Sequence, residues 1–287
     1  MDILFKNITA KKGENLVVTK MRLKKLLTEI IDKYIADLDI QNLRRVIIYP
    51  NNSKHSFAKM QPIDENNAPM ADIIFQESIV NFLNSTSHKE AREIIYHELC
   101  HCKDFQNLCS MFDYKKLLDF ENSKTTLTAM YADCGYRMWG EYISYFYTEK
   151  EFPLFQNKFA SKISETVKDA DVAITLLKEQ KSNEDLIFAY RVFKEKIDLL
   201  FYSIVREIAK IHSIENSEIT AYTFKLFVEI NKRIPGVQTV ASQAMVLLEK
   251  SRGTYPKWTD INIFNNLGTI FYSLYCLSDI FLPESVI

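Results

Sequence analysis

Residues 94–104 read Ile-Ile-Tyr-His-Glu-Leu-Cys-His-Cys-Lys-Asp, which sets His97, Glu98 and His101 in the pattern His-Glu-x-x-His. On an α-helix, residues four apart are turned by only about 40° and displaced by about 6 Å, so both imidazoles can converge on one ion of tetrahedral preference. Glu98 follows His97 directly and lies beside the position such an ion leaves open. There it can take a proton from a bound water whose pKa zinc lowers towards about 7, while the metal polarises a carbonyl. The chemistry expected is hydrolysis of a peptide bond, with Glu98 as base and then as proton donor to the leaving amine. The chain has only 5 histidines, so a chance match to this pattern would arise in on the order of one such sequence per hundred. Of the other three, His88 projects from the opposite side of the same helix, and His55 and His212 read as loop or surface residues without a role.

The helix that carries the pair starts at a capping box, Ser87 with Glu90 three residues on, and runs through Ala91, Ile94, Ile95 and Leu99 to about residue 108. Before it, a helix is expected over residues 19–38. Two short β-rich runs follow, Arg-Val-Ile-Ile-Tyr at 45–49 and Ala-Asp-Ile-Ile-Phe at 71–75, separated by a polar, Pro-containing segment at 51–69. After it, the pattern predicts a helix over 123–148 that ends before Pro153, and further helices at 154–180, 183–213, 216–233, 236–250 and 259–282. The stretch at 149–153 marks a boundary, with a first domain at 1–150 and a helical accessory region at 151–287.

Two segments, Tyr-His-Glu-Leu-Cys-His at 96–101 and Trp-Gly-Glu-Tyr at 139–142, resemble the zincin metallopeptidases, in particular the gluzincins and the compact cytoplasmic ImmA/IrrE-like peptidases. The resemblance covers about residues 43–147. It implies an α+β, mainly helical chain: a zincin-like core with a small mixed or antiparallel sheet of about three strands and an active-site helix, followed by the all-helical region. It also implies one zinc ion per chain, with Glu141 as third ligand. Residue order agrees, because Glu141 follows His101 by 40 residues, enough to finish one helix and return on an opposing one. Asp104, three after His101, and Asp133, eight before Glu141, are the alternative ligands or the groups that orient a histidine. Tyr142 and Tyr145 are candidates for oxyanion or substrate contact. The resemblance further implies that a strand of Asp72, Ile73, Ile74, Phe75 and Gln76 borders the cleft and pairs with the substrate backbone. The chain departs from the family pattern at Lys103, where an apolar residue is usual, and at Tyr145, where several gluzincins carry an aspartate. Asp104 and Asn107 stand where a metzincin has Gly and His.

Composition narrows the partners. Lys+Arg is 36 against Asp+Glu 37, so there is none of the basic excess that a nucleic-acid or anionic-membrane surface requires. The N-terminus shows no secretory pattern, and the apolar stretch from 261 to 282 is interrupted by Asn265, Asn266 and Asp279, so a cytoplasmic location and no membrane span are expected. Five cysteines without framework spacing should remain thiols. The expected partner is a protein or peptide substrate. The rival expectation is a non-catalytic, zinc-binding regulatory or interaction protein on the same fold, which would need the ligands and no base.

Overall fold

The computed structural model describes residues 1–6, 16–51, 57–83, 89–122, 127–153, 157–179, 183–214 and 216–278. Ser87, His55 and His88 lie outside these. Contacts divide the chain into two compact units, Met1–Leu118 and Asp119–Ile287.

In the first unit the order is β1 (Asp2–Phe5), α1 (Leu16–Leu38), β2 (Leu43–Tyr49), β3 (Ala58–Glu65), β4 (Ala68–Gln76), α2 (Ile79–Leu83), α3 (Lys89–Met111) and α4 (Tyr114–Asn122), the boundary falling inside α4. The strands form one mixed sheet in the order β1-β2-β4-β3, with β1/β2 and β2/β4 parallel and β3/β4 antiparallel. Val46, Ile47 and Ile48 on β2 and Ile73, Ile74 and Phe75 on β4 are buried without alternation, as expected of central strands covered on both faces. The sheet therefore has four strands where about three were expected. The segment at 51–69, read as a separator, holds β3. Pro62 obscured it, yet a proline is tolerated because β3 is an edge. Asn66 and Asn67, with φ of 55° and 62°, make the tight turn into β4, a pairing that favours a two-residue hairpin.

Polar ties fix the sheet and α3. Arg44 on β2 donates two hydrogen bonds to the Asp72 carboxylate, at 2.8 and 2.6 Å, and a third to Glu65 at 2.8 Å, joining three neighbouring strands. Asp39, beyond the end of α1, has φ 53°. Its carbonyl accepts from Lys103 Nζ at 2.9 Å and Gln106 Nε2 at 3.0 Å, just beyond a cap in which the Ile40 N–H bonds the Ile35 carbonyl and the Asp39 N–H that of Ala36. Lys103 thus has a structural task.

The second unit contains α5 (Leu127–Glu151), α6 (Asn157–Lys178), α7 (Asn183–Ser213), α8 (Ser217–Arg233), α9 (Val237–Thr254), α10 (Ile263–Tyr272) and a 3₁₀ turn (Tyr275–Ser278). Of the helix expected over 259–282, the described part resolves into α10 and this turn, and residues 279–282 lie outside the described residues. α5 packs on α7 and α10, and α6 on α7. At the α5/α10 crossing, Gly135 and Gly268 let the backbones touch: a Cβ on Gly135 would stand 1.9 Å from the Phe264 carbonyl oxygen, and one on Gly268 1.8 Å from that of Tyr131. All five cysteines are free. No helix among the described residues is long and apolar enough to cross a membrane.

Candidate metal centre

α3 presents His97 and His101 one turn apart. Their Nε2 atoms are 3.2 Å apart and the rings are nearly perpendicular, at 85°. Two nitrogens each about 2.0–2.1 Å from a tetrahedral ion stand about 3.3–3.4 Å apart, so the pair already has the separation that a shared ion demands. Glu141, on α5, completes a group of three: one ligand atom from each of His97, His101 and Glu141 lies within 4.8 Å of the others, and all three residues are half-buried. The donor set, two imidazoles and one carboxylate, is that of catalytic zinc sites with an open fourth position. This group could hold a metal ion.

The remaining predicted residues fall into distinct environments. Glu98 is 6% exposed, on the same helix as both histidines. Asp104 is also buried, at 6%; burial, and to a lesser degree the charge of Asp104, pushes the Cys109 thiol up to about 12, and Asp104 is not in the group of three. Asp133 likewise stands outside it, and pairs with Arg137 at 3.2 Å. Arg137 is drawn further to Asp198, at 3.9 Å, and to the Tyr202 hydroxyl, at 3.4 Å.

Three expectations need correcting. Asp72, Ile73, Ile74, Phe75 and Gln76 cannot pair with a substrate backbone, because β4 is central: β2 occupies one flank and β3, with Phe57, the other. The edge strand beside β4 is β3, which also contacts α3. Tyr142 is wholly buried, its ring against Trp139 at 5.6 Å and its hydroxyl 2.8 Å from His212 Nδ1, so it serves the core of the helical unit and not a substrate. His212, read as a surface residue, is its partner on α7, and burial lowers its pKa from 6.5. Tyr145 is half-buried, with the Arg206 guanidinium 5.1 Å above its ring.

No protein-family model, curated protein or solved structure matches the chain.

Proposed function

We propose that the chain is a zinc-dependent peptidase of zincin type, similar to the gluzincins, that hydrolyses peptide bonds of a protein or peptide substrate. The observation that carries this reading is the gathering of His97, His101 and Glu141 ligand atoms within 4.8 Å, together with Glu98 on α3, a carboxylate no structural site requires. A zinc ion in that set supplies a Lewis acid for the scissile carbonyl and a water of lowered pKa. Glu98 takes the proton from the attacking water and delivers it to the leaving amine. Its low exposure, 6%, removes competing water from the carboxylate and strengthens its field at the reacting atoms. His97 and His101 hold the metal from one rigid helix, which costs little reorganisation during the reaction. For the substrate backbone, β3, residues Ala58–Glu65, is an edge strand of the sheet among the described residues, and an edge strand is what β-augmentation uses.

The test is metal analysis of protein purified without chelator, combined with cleavage of a peptide library by the wild type and by Glu98→Gln. About one zinc per chain and cleavage that disappears in the variant support the reading. Absence of any transition metal, with no uptake of added zinc, would refute it. Zinc bound with equal affinity by both proteins, and no cleavage by either, would favour the regulatory alternative.

A further inference from the structure

The even charge of the whole chain, 36 basic against 37 acidic residues, conceals an uneven distribution: residues 1–25 contain seven Lys and Arg and two Asp and Glu. Four of those cations, Lys20, Arg22, Lys24 and Lys25, lie in the first three turns of α1. One face of this helix serves the fold. Leu23, Leu27, Ile30, Ile31 and Tyr34 are buried, and α1 packs on α3. The opposite face presents apolar side chains to solvent: Val17, Val18 and Met21 are 66%, 60% and 69% exposed. Helical geometry sets these three and Lys25 within an arc of about 100°. Arg22 and Lys24, both exposed, fall on either side of that arc. Lys25 has Glu29 at 4.0 Å, with the two side chains 81% and 60% exposed, and a pair so open to water holds the ammonium only weakly. Past Lys25 the outward face turns acidic, at Glu29 and Asp32, so the apolar and cationic patch ends with the third turn.

A single exposed apolar residue needs no explanation. Three together on one helix face, with cations inside and on both sides of the arc, have the make-up of a helix that lies in a lipid interface. Shape and chemistry separate the anionic partners that such a patch could take. A helix face is convex, whereas an acidic peptide that docks by its apolar side chains needs a groove to receive them. Nucleic-acid phosphates would engage the cations and leave the valines and the methionine in water. An anionic bilayer does both: its headgroups attract Lys and Arg, and its interface takes in a protruding apolar face. We propose that the first three turns of α1 dock the protein on an anionic lipid surface, with Val17, Val18 and Met21 entering the headgroup layer and Arg22, Lys24 and Lys25 against the lipid phosphates. The contact is peripheral and asks for no helix that crosses the membrane. It is independent of the peptidase reading, since it uses no residue of the candidate metal centre.

The experiment is flotation of the full chain, in the presence of chelator, with vesicles of phosphatidylcholine alone and of phosphatidylcholine mixed with phosphatidylglycerol, at low and at high salt. Binding to the mixed vesicles is expected to be about tenfold or more stronger than to the neutral ones, and to fall as salt rises. Two double variants divide the contact into its parts. Val18→Ser with Met21→Ser removes apolar area, and Lys24→Gln with Lys25→Gln removes charge; each should weaken binding to the mixed vesicles about tenfold. All four side chains are exposed, so circular dichroism should report an unchanged fold, and either pair tests the proposal should the other disturb it. Absence of binding to the mixed vesicles, equal binding to both kinds, or binding unchanged in both variants overturns the proposal. Capture of a polyglutamate peptide without binding to either vesicle overturns it as well, and assigns the face to an acidic protein partner.

Discussion

Gly268→Ala and Gly253→Ala are the same chemical change on neighbouring helices, and the structure gives them opposite signs. At Gly268 the new Cβ would fall 1.8 Å from the Tyr131 carbonyl oxygen and 2.9 Å from its Cα. Side-chain and main-chain atoms do not approach within about 3 Å, so α10 and α5 must separate by more than 1 Å locally. The obstacle is backbone, which no rotamer change can clear. Overpacking a well-packed core by one methyl costs about 1–3 kcal/mol, and the upper end applies where backbone must move. Alanine recovers about 1 kcal/mol through its helix propensity, leaving a net loss of about 2 kcal/mol. In a unit of this size that lowers Tm by about 4–8 °C. At Gly253, in the last turn of α9, a Cβ meets nothing within 4 Å, so a propensity gain, smaller than in a helix interior, stands alone and Tm should rise by up to about 2 °C. Thermal unfolding followed by circular dichroism, on chelated protein so that ligand linkage does not enter, reads both. If Gly268→Ala is as stable as Gly253→Ala, the α5/α10 crossing is not as close as described.

Other consequences can be checked in parallel. Glu98→Gln should retain zinc while peptidase activity falls by orders of magnitude, whereas His97→Ala should lose both and Glu141→Ala should weaken zinc binding about 10-fold or more; inductively coupled plasma mass spectrometry and a cleavage assay separate the three. Arg44→Ala leaves Asp72, only 3% exposed, without its bidentate partner, and should cost about 3 kcal/mol in urea unfolding, with Arg44→Lys recovering the charge and not the fork. His212 has a pKa below its ordinary 6.5 because burial disfavours the imidazolium, Glu249 opposing and Arg252 adding to the shift. The unfolded chain therefore binds the proton more readily, and stability present above 6.5 should be lost as pH falls through 6.5 towards the folded-state value. His212→Gln should flatten that slope in a Tm-against-pH series, and an equal slope in both proteins would contradict it.

Much of the candidate centre could be read from the chain because it is local. The step from His97 to His101 is one helical turn, so any helix through residues 97–101 brings the imidazoles together, and the periodicity from Ala91 to Leu99 requires that helix. The same holds for α1, α7 and α8, whose apolar faces repeat at helical spacing over many turns, and for β2 and β4, whose unbroken apolar runs mark buried strands. Strand β3 had a legible signal in Asn66-Asn67 that the proline at 62 outweighed. Other features were never local. Which strand lies at an edge is a matter of sheet order, and only the tertiary structure shows that β3 covers the flank of β4 that a peptide would otherwise use. Whether Tyr142 faces a substrate or a core depends on what α7 brings against it, and His212 is 70 residues away. Glu141, Asp104 and Asp133 are alike as carboxylates at plausible spacings; the Asp133–Arg137 pair is a local contact one turn apart on α5, whereas the grouping of Glu141 with the histidines does not follow from chain order. Sequence determines what a single helix or strand must do, since neighbours a few residues apart meet through backbone geometry alone. Choices among equivalent groups are made by packing between elements, where the free energy depends on partners that chain order does not name.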